Sequence, residues 1–358
     1  MAPTRFYPLR VAQVEVDTRD ASVISFDVPE ALRETFRYEP GQHLTVRTQI
    51  EGTEIRRSYS ICASAAEQRL RIAIKRVDDG LFSGWAAEHM KPGATLDCLP
   101  PAGHFGVPIE AGLARHHVAF AAGSGITPVL SIIKTVLEVE RDSRVTLFYG
   151  NRASSSVMFR EAIEDLKDRY TTRFNLVFIL SREKQEIDLF NGRIDAAKCD
   201  ALLTHWIDPA SIDVAYICGP QAMMADVLAS LQRHGVARER IRLELFDSGL
   251  PKGARAQPKQ AVEGARTCAV TVVQDGRSRV FEFEKGAMTL LDAGLDQGLE
   301  LPYSCKGGVC STCRCKLTAG EVDMDANYAL EDYEVARGYI LTCQSFPVSD
   351  ALTLNYDE

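Results

Sequence analysis

The sequence predicts a multidomain chain in three parts: an antiparallel β-barrel, an α/β domain with a parallel sheet, and a smaller β-rich domain around a cysteine loop. Three observations predict it. Residues 1–110 read as short β-branched or alternating segments separated by turn residues, with one short helix. Residues 111–246 change to alternating strand and helix, the rhythm of a sheet covered on both faces. The remainder carries Cys305, Cys310 and Cys313 at C-x4-C-x2-C spacing, with Cys343 thirty residues after the third. A length of 358 residues accommodates two or three domains.

In the first part the expected strands are 11–16, 22–28, 42–48, 55–60, 70–77 and 95–99, and the expected helix is 83–89. Six short strands with no long helix suit a closed barrel. In the second part strands are expected at 118–122, 144–149, 174–180, 213–218 and 241–246. Helices are expected from about the end of Gly123-Ser124-Gly125-Ile126-Thr127-Pro128 to residue 140, and at 158–169, 195–204 and 220–234. Thr127 suits the N-cap of the first of these helices and Pro128 its first position. Ligands of such sheets bind at the carboxyl ends of the strands. Gly123 and Gly125 let a backbone approach a pyrophosphate closely, although the loop ends in Pro rather than the third Gly of the dinucleotide fingerprint.

Residues 247–266 read as a linker, rich in Gly, Pro and Lys with little periodicity. Residues 267–358 then begin with a hairpin, 269–274 and 279–284 about Asp275-Gly276. A short helix at 289–296 and strands at 315–318 and 351–354 follow. The cysteine spacing in this part is that of a plant-type [2Fe–2S] site, with Cys305, Cys310, Cys313 and Cys343 as ligands. One loop must wrap the cluster and bring three thiolates to it, and Gly307 and Gly308 supply the backbone freedom. Zinc knuckles favour paired C-x2-C spacings instead. Cys315 is the obvious rival ligand and reads as a packed thiol, because the set is complete without it. Cys62, Cys98, Cys199 and Cys268 have no partner at metal-ligand spacing.

Bulk properties exclude several classes. No apolar run is long enough for a membrane span, and the N-terminus lacks the apolar core of a signal peptide. Ten cysteines without an export signal fit a reducing cytoplasm, where thiols bind metal or pack. The net charge of −8 is uneven: residues 267–358 hold 7 basic and 15 acidic side chains, so residues 1–266 are neutral overall. That balance speaks against nucleic acid and for a basic protein partner, or for a merely solvating surface.

Several short motifs carry a resemblance that covers essentially the whole chain. Arg57-Ser58-Tyr59-Ser60, Gly80-Leu81-Phe82-Ser83, the 123–128 loop, Tyr149-Gly150-Asn151-Arg152 and Cys218-Gly219-Pro220 resemble the ferredoxin–NADP reductase family. The last part resembles a plant-type ferredoxin of β-grasp fold. The resemblance implies FAD in the barrel, with Arg57 on a phosphate, Tyr59 on the isoalloxazine, and Ser60 near the reactive flavin nitrogen. It implies that Gly80 and Ser83 meet the pyrophosphate. It further implies a pyridine nucleotide against Gly123, Gly125 and Thr127, with Cys218 and Gly219 flanking the nicotinamide. An acid, Glu244, then lies near the nicotinamide and an aromatic, Phe246, approaches the flavin. Arg152 and Arg182 follow strand ends without an acidic residue immediately after either, and are suited to the extra phosphate of NADPH, which is expected over NADH.

The wording is most similar to reductase components that feed a di-iron oxygenase carried on other chains. This implies an oxidoreductase that passes electrons from NADPH through FAD and the cluster to that partner. A reductase for another oxygenase or for a hybrid-cluster protein is the alternative within the class. An interaction module that has lost catalysis is the alternative outside it, and it predicts a colourless protein. No general acid–base dyad is needed, and His89 and His104 are expected to pack or cap.

Overall fold

The structure is a computed structural model and describes residues 5–67, 69–246 and 267–358. The linker expected at 247–266 lies outside the described residues. The chain divides into two compact units: Pro8–Ile55 with Tyr59–Glu244, and Leu245–Glu358 with Arg56–Ser58 and the residues before Pro8.

In the first unit, β1 (Tyr7–Thr18), β2 (Ala21–Asp27), β3 (His43–Ile50), β4 (Thr53–Ser60), β5 (Arg71–Lys75) and β6 (Thr95–Cys98) form one sheet. Their order is β4-β3-β6-β1-β2-β5. An antiparallel bridge between Ile61 and Ile72 joins the chain just past β4 to β5, so the two edges meet and the barrel closes. Alternation drives it inward: Leu9, Val11, Leu44, Val46 and Ile72 are fully buried. Helix α1 (Leu81–His89) begins two residues earlier than expected. Gly80 is its N-cap, and the Ser83 hydroxyl closes the turn, donating to Gly80 O at 3.2 Å and accepting from Val77 N at 3.1 Å.

The same unit continues with β7 (His116–Ala122), α2 (Ile126–Val139), β8 (Arg144–Asn151), α3 (Arg160–Arg169) and β9 (Phe174–Leu180). It closes with α4 (Ala196–His205), β10 (Val214–Cys218), α5 (Gln221–Arg233) and β11 (Ile241–Glu244). The strand order is β11-β10-β7-β8-β9, and every pair is parallel. The chain moves outward from β7 to β9, then returns to β10 on the other side of β7. The order therefore reverses between β7 and β10, and a crevice at their carboxyl ends is the expected ligand position. Barrel residues Ala21, Val23, Cys62, Ala73 and Phe105 share one hydrophobic core with α2 and β7, which is why barrel and α/β part form a single unit.

Boundaries in the α/β part also differ from expectation. Helix α2 starts at Ile126 with Gly125 as N-cap, so Thr127 is not the cap; its hydroxyl lies inside the first turn and donates to Ser124 O at 3.0 Å. Helix α3 starts at Arg160 because Phe159 takes a left-handed conformation (φ 56°), its N–H held by both Asp17 carboxylate oxygens at 3.0 and 3.1 Å. Strand β11 stops at Glu244.

In the second unit, β12 (Thr267–Gln274) and β13 (Arg277–Glu284) form the expected hairpin. Asp275 and Gly276 both take positive φ, 52° and 69°, as a tight two-residue turn requires. Then come α6 (Leu290–Asp296), β14 (Arg314–Ala319), β15 (Val322–Met324), α7 (Asp332–Ala336), β16 (Tyr339–Leu341), β17 (Ser345–Pro347) and β18 (Ala351–Asn355). The main sheet is β13-β12-β18-β14-β16, with β15 and β17 paired apart. Strand β12 runs parallel to β18, the central pairing of a β-grasp sheet, and α6 packs Leu290 and Leu291 into its core. Strands β15, β16 and β17 have three residues each, too few for an alternation to register in the sequence. Among the described residues no helix is long and apolar enough to cross a membrane.

Candidate redox site

The 305–313 loop and the chain after β16 bring the four cysteines together in pairs. The thiols of Cys305 and Cys310 are within hydrogen-bond reach of each other, and so are those of Cys313 and Cys343. Among the described residues no three His, Cys, Asp or Glu side chains converge to hold one metal ion. Two thiol pairs suit a two-iron cluster, in which each iron takes two sulfurs, better than a tetrahedral zinc. The backbone favours a thiolate at Cys305. Cys305 Sγ accepts from Gly307 N at 3.3 Å. A hydrogen bond from the Cys310 thiol, with further ones from the loop N–H groups, pushes Cys305 down. Its partner Cys310 is pushed well up, first by the same hydrogen bond and then by burial. Lys306 and Ser311 hold positive φ without being glycine, which the loop tolerates because it wraps so tightly. Cys315 lies on β14 opposite Ile340, buried in the core, and burial pushes its thiol up.

Strand β4 carries the flavin candidates. Arg57 is exposed and donates to Arg56 O at 2.7 Å. Tyr59 is half-buried, its ring 5.7 Å from that of Phe82 on α1. Ser60 is buried, and its Oγ lies 3.3 Å from Glu244 Oε2 at the end of β11. Burial pushes the Glu244 carboxyl up to about 8 against the opposing Ser60 hydrogen bond, so it holds its proton at neutral pH. Gly80 and Ser83 are neighbours, but the Ser83 hydroxyl is taken up by its own turn, and a Cβ at Gly80 would stand 2.5 Å from it. His89 caps α1 by Nδ1 to Trp85 O at 2.9 Å and stacks on Trp85.

The reversal point between β7 and β10 collects the nucleotide candidates. A Cβ on Gly125 would stand 2.2 Å from the backbone oxygen of Cys218, so packing requires that glycine; one on Gly219 would meet the movable end of Met223 at 2.6 Å and Ala122 Cβ at 3.2 Å. Gly123 is different: at φ 54° a Cβ there would meet nothing within 4 Å. That open side, beside the tight one, is the cradle a pyrophosphate needs. Tyr149 Oη donates to Gly123 O at 2.9 Å and fixes the loop. Cys218 is fully buried, its thiol pushed well up by burial and then by Glu244, which pairs with it across β10 and β11. Arg152 and Arg182 are exposed and adjacent, because Arg182 N donates to Arg152 O at 2.7 Å. Phe246 is 43% exposed.

Two contacts lie outside every sequence motif. Glu183 accepts from Ser154 N at 2.7 Å and from Ser154 Oγ at 2.8 Å. Gln344, directly after Cys343, is buried against the cysteine loop.

A flavin-type barrel, a dinucleotide crevice and a cysteine loop define an iron–sulfur flavoprotein oxidoreductase. Family models agree segment by segment: an oxidoreductase FAD-binding domain over residues 8–106, an oxidoreductase NAD-binding domain over 120–229, and a 2Fe-2S iron-sulfur cluster binding domain over 272–348. The chain belongs to the family of NAD(P)H-dependent oxygenase reductases that includes a subunit of the 1,2-phenylacetyl-CoA epoxidase of Escherichia coli. It is 45% identical to that protein over 99% of this chain and 98% of the relative. It is 34% identical to the ferredoxin reductase component of a Rhodococcus rhodochrous 3-ketosteroid-9-alpha-monooxygenase, over 97% and 96%. Among solved structures, phthalate dioxygenase reductase matches in fold over 98% of each chain, with a TM-score of 0.59 at 23% identity.

Proposed function

We propose that this chain is the reductase of an aromatic-ring epoxidase, taking electron pairs from NADPH and delivering them singly to a di-iron oxygenase, carried on other chains, that acts on phenylacetyl-CoA. The full-length 45% identity to the Escherichia coli epoxidase protein carries this reading. Bound FAD supplies two-electron acceptance with one-electron release, and a bound [2Fe–2S] cluster supplies single-electron carriage. The protein's own residues bind, orient and hold a proton. Arg57 would grip a flavin phosphate bidentately, with the Gly80 and Ser83 turn beside the pyrophosphate. Tyr59 would cover the ring and Phe246 would approach it. Glu244, its Oε2 accepting from Ser60 Oγ, would hold a proton beside the nicotinamide. Gly123, Gly125 and Thr127 would seat the nucleotide, flanked by Cys218 and Gly219. Arg152 and Arg182 would meet the 2′-phosphate. Glu183, the nearest acid, is engaged at Ser154, which removes a competitor for a ribose hydroxyl and supports NADPH over NADH. Cys305, Cys310, Cys313 and Cys343 would hold the cluster.

The ranges 1–110 for FAD, 111–246 for nucleotide, 247–266 as linker and 267–358 for the cluster belong to the same proposal. So does a cytoplasmic setting, which ten cysteines without a disulfide support. A spectral titration tests the cofactor assignment: NADPH should bleach both flavin and iron–sulfur bands, and bleaching by NADH alone would refute the NADPH choice. Cys343→Ser should abolish cluster absorbance and partner reduction while flavin reduction persists. Electrons still reaching the partner would refute the route. The 34% relative keeps a different oxygenase as the second reading, and faster delivery to an unrelated oxygenase than to the epoxidase would favour it.

A further inference from the structure

We propose that Gln344 is a positioning residue for the [2Fe–2S] site: its side-chain amide clips the fourth ligand, Cys343, to the cysteine loop and aims an N–H at the Cys343 sulfur. Gln344 is 1% exposed. Its Nε2 donates to Lys306 O at 2.9 Å and to Cys343 O at 2.8 Å, and stands 3.6 Å from Cys343 Sγ. Two hydrogens thus serve one carbonyl in the loop beside Cys305 and the carbonyl and sulfur of the fourth ligand. The clip spans thirty-eight residues of chain.

The other end of the same amide gives the independent argument. Among the described residues Gln344 Oε1 is buried without a hydrogen-bond partner. A buried acceptor left unpaired is destabilising, and an apolar side chain of equal size would avoid it. The amide is therefore retained for its donors. Gly308 is shaped to the same purpose. At φ 76° it leaves room where a Cβ would stand 3.2 Å from Gln344 Cγ and 3.1 Å from Ala326 O. The backbone completes the hub, with Asp325 N donating to Gln344 O at 2.8 Å and Tyr328 N to Gly308 O at 3.1 Å. Hydrogen bonds to cluster sulfurs stabilise the reduced, more negative state, so removing this one lowers the potential.

This inference rests on reading the four cysteines as a two-iron site, and iron analysis of the parent protein tests that separately. The test compares the full-length holoprotein with Gln344→Met and Gln344→Glu. Gln344→Met should shift the cluster potential downward and shorten the half-life of cluster loss several-fold, with flavin content and flavin reduction by NADPH unchanged. Gln344→Glu, which adds a negative charge at the same size, should shift the potential further. Unchanged potential and half-life in Gln344→Met would overturn the proposal. In case the variants do not assemble a cluster, the parent protein labelled with glutamine side-chain 15N gives a second reading. Electron–nuclear coupling between the reduced cluster and a side-chain 15N supports the N–H contact, and its absence overturns it.

Discussion

Glu244 concentrates the residue-scale chemistry of the first unit. A carboxyl at the end of β11, hydrogen-bonded to Ser60 and pushed up to about 8, is a proton store at neutral pH. The linkage sign follows directly. Between its ordinary value of 4.5 and about 8 the folded chain keeps a proton that the unfolded chain has released. Its contribution to stability therefore falls as pH rises through that window. Glu244→Gln should remove this slope, so the variant's melting temperature should exceed the parent's by a margin that grows from pH 5 to about 8. It should also slow flavin reduction by NADPH roughly ten-fold, through a poorer fit of the nicotinamide rather than loss of a proton donor, because the hydride carries its own hydrogen. A variant whose melting curve tracks the parent's at every pH would show that Glu244 is ionised in the fold.

Among the elements, the amino ends of β7 and β8 are tied to the end of α2 by one buried polar knot, at the opposite ends of these strands from the 123–128 loop. Glu140 is fully buried. It accepts from Arg115, from Ser143 Oγ at 2.6 Å and from His117 Nε2 at 3.0 Å. Burial alone would raise its carboxyl, but these hydrogen bonds outweigh burial and hold it below its ordinary value. Burial holds His117 down and takes His116 to about 4, so both stay neutral and the contact from His117 to Glu140 is a hydrogen bond rather than an ion pair. Glu140→Gln leaves Arg115 without its counter-charge and should cost about 3 kcal/mol. The parent's stability should fall as pH drops from 6.5 toward 4, because unfolded His116 takes a proton there and the folded one does not. Below that, protonation of Glu140 removes its share as well. Thermal melts should show this decline already at pH 5.5, and His116→Asn should make it shallower. A parent melting temperature that is flat from pH 7 to 5 would contradict the assignment.

At the scale of the whole molecule, the fold was legible where periodicity had length to work with. The six barrel strands, the alternation of the α/β part and the Asp275-Gly276 hairpin all rest on runs of four or more patterned residues. The four cysteines were legible because cluster ligation fixes their spacing. What stayed hidden depends on partners remote in sequence: Asp17 setting the start of α3, and Gln344 reaching Lys306. Charge is legible in full from sequence, and it yields the last prediction. The C-terminal ninety-two residues carry the entire net charge of −8, while the part that takes up the nucleotide is neutral. That asymmetry leaves the approach of an anionic nucleotide unopposed and steers the domain that discharges electrons toward a basic protein face. Partner reduction should therefore slow by roughly ten-fold as salt rises from about 10 mM to about 300 mM, as the Debye length shrinks from ~30 Å to below ~8 Å. Reduction of an uncharged one-electron acceptor should hardly change over the same range. Asp332→Lys, at the exposed start of α7, should lower the partner rate at low salt and flatten the slope. If partner and neutral acceptor respond to salt alike, the acidic surface only solvates the domain and does no steering.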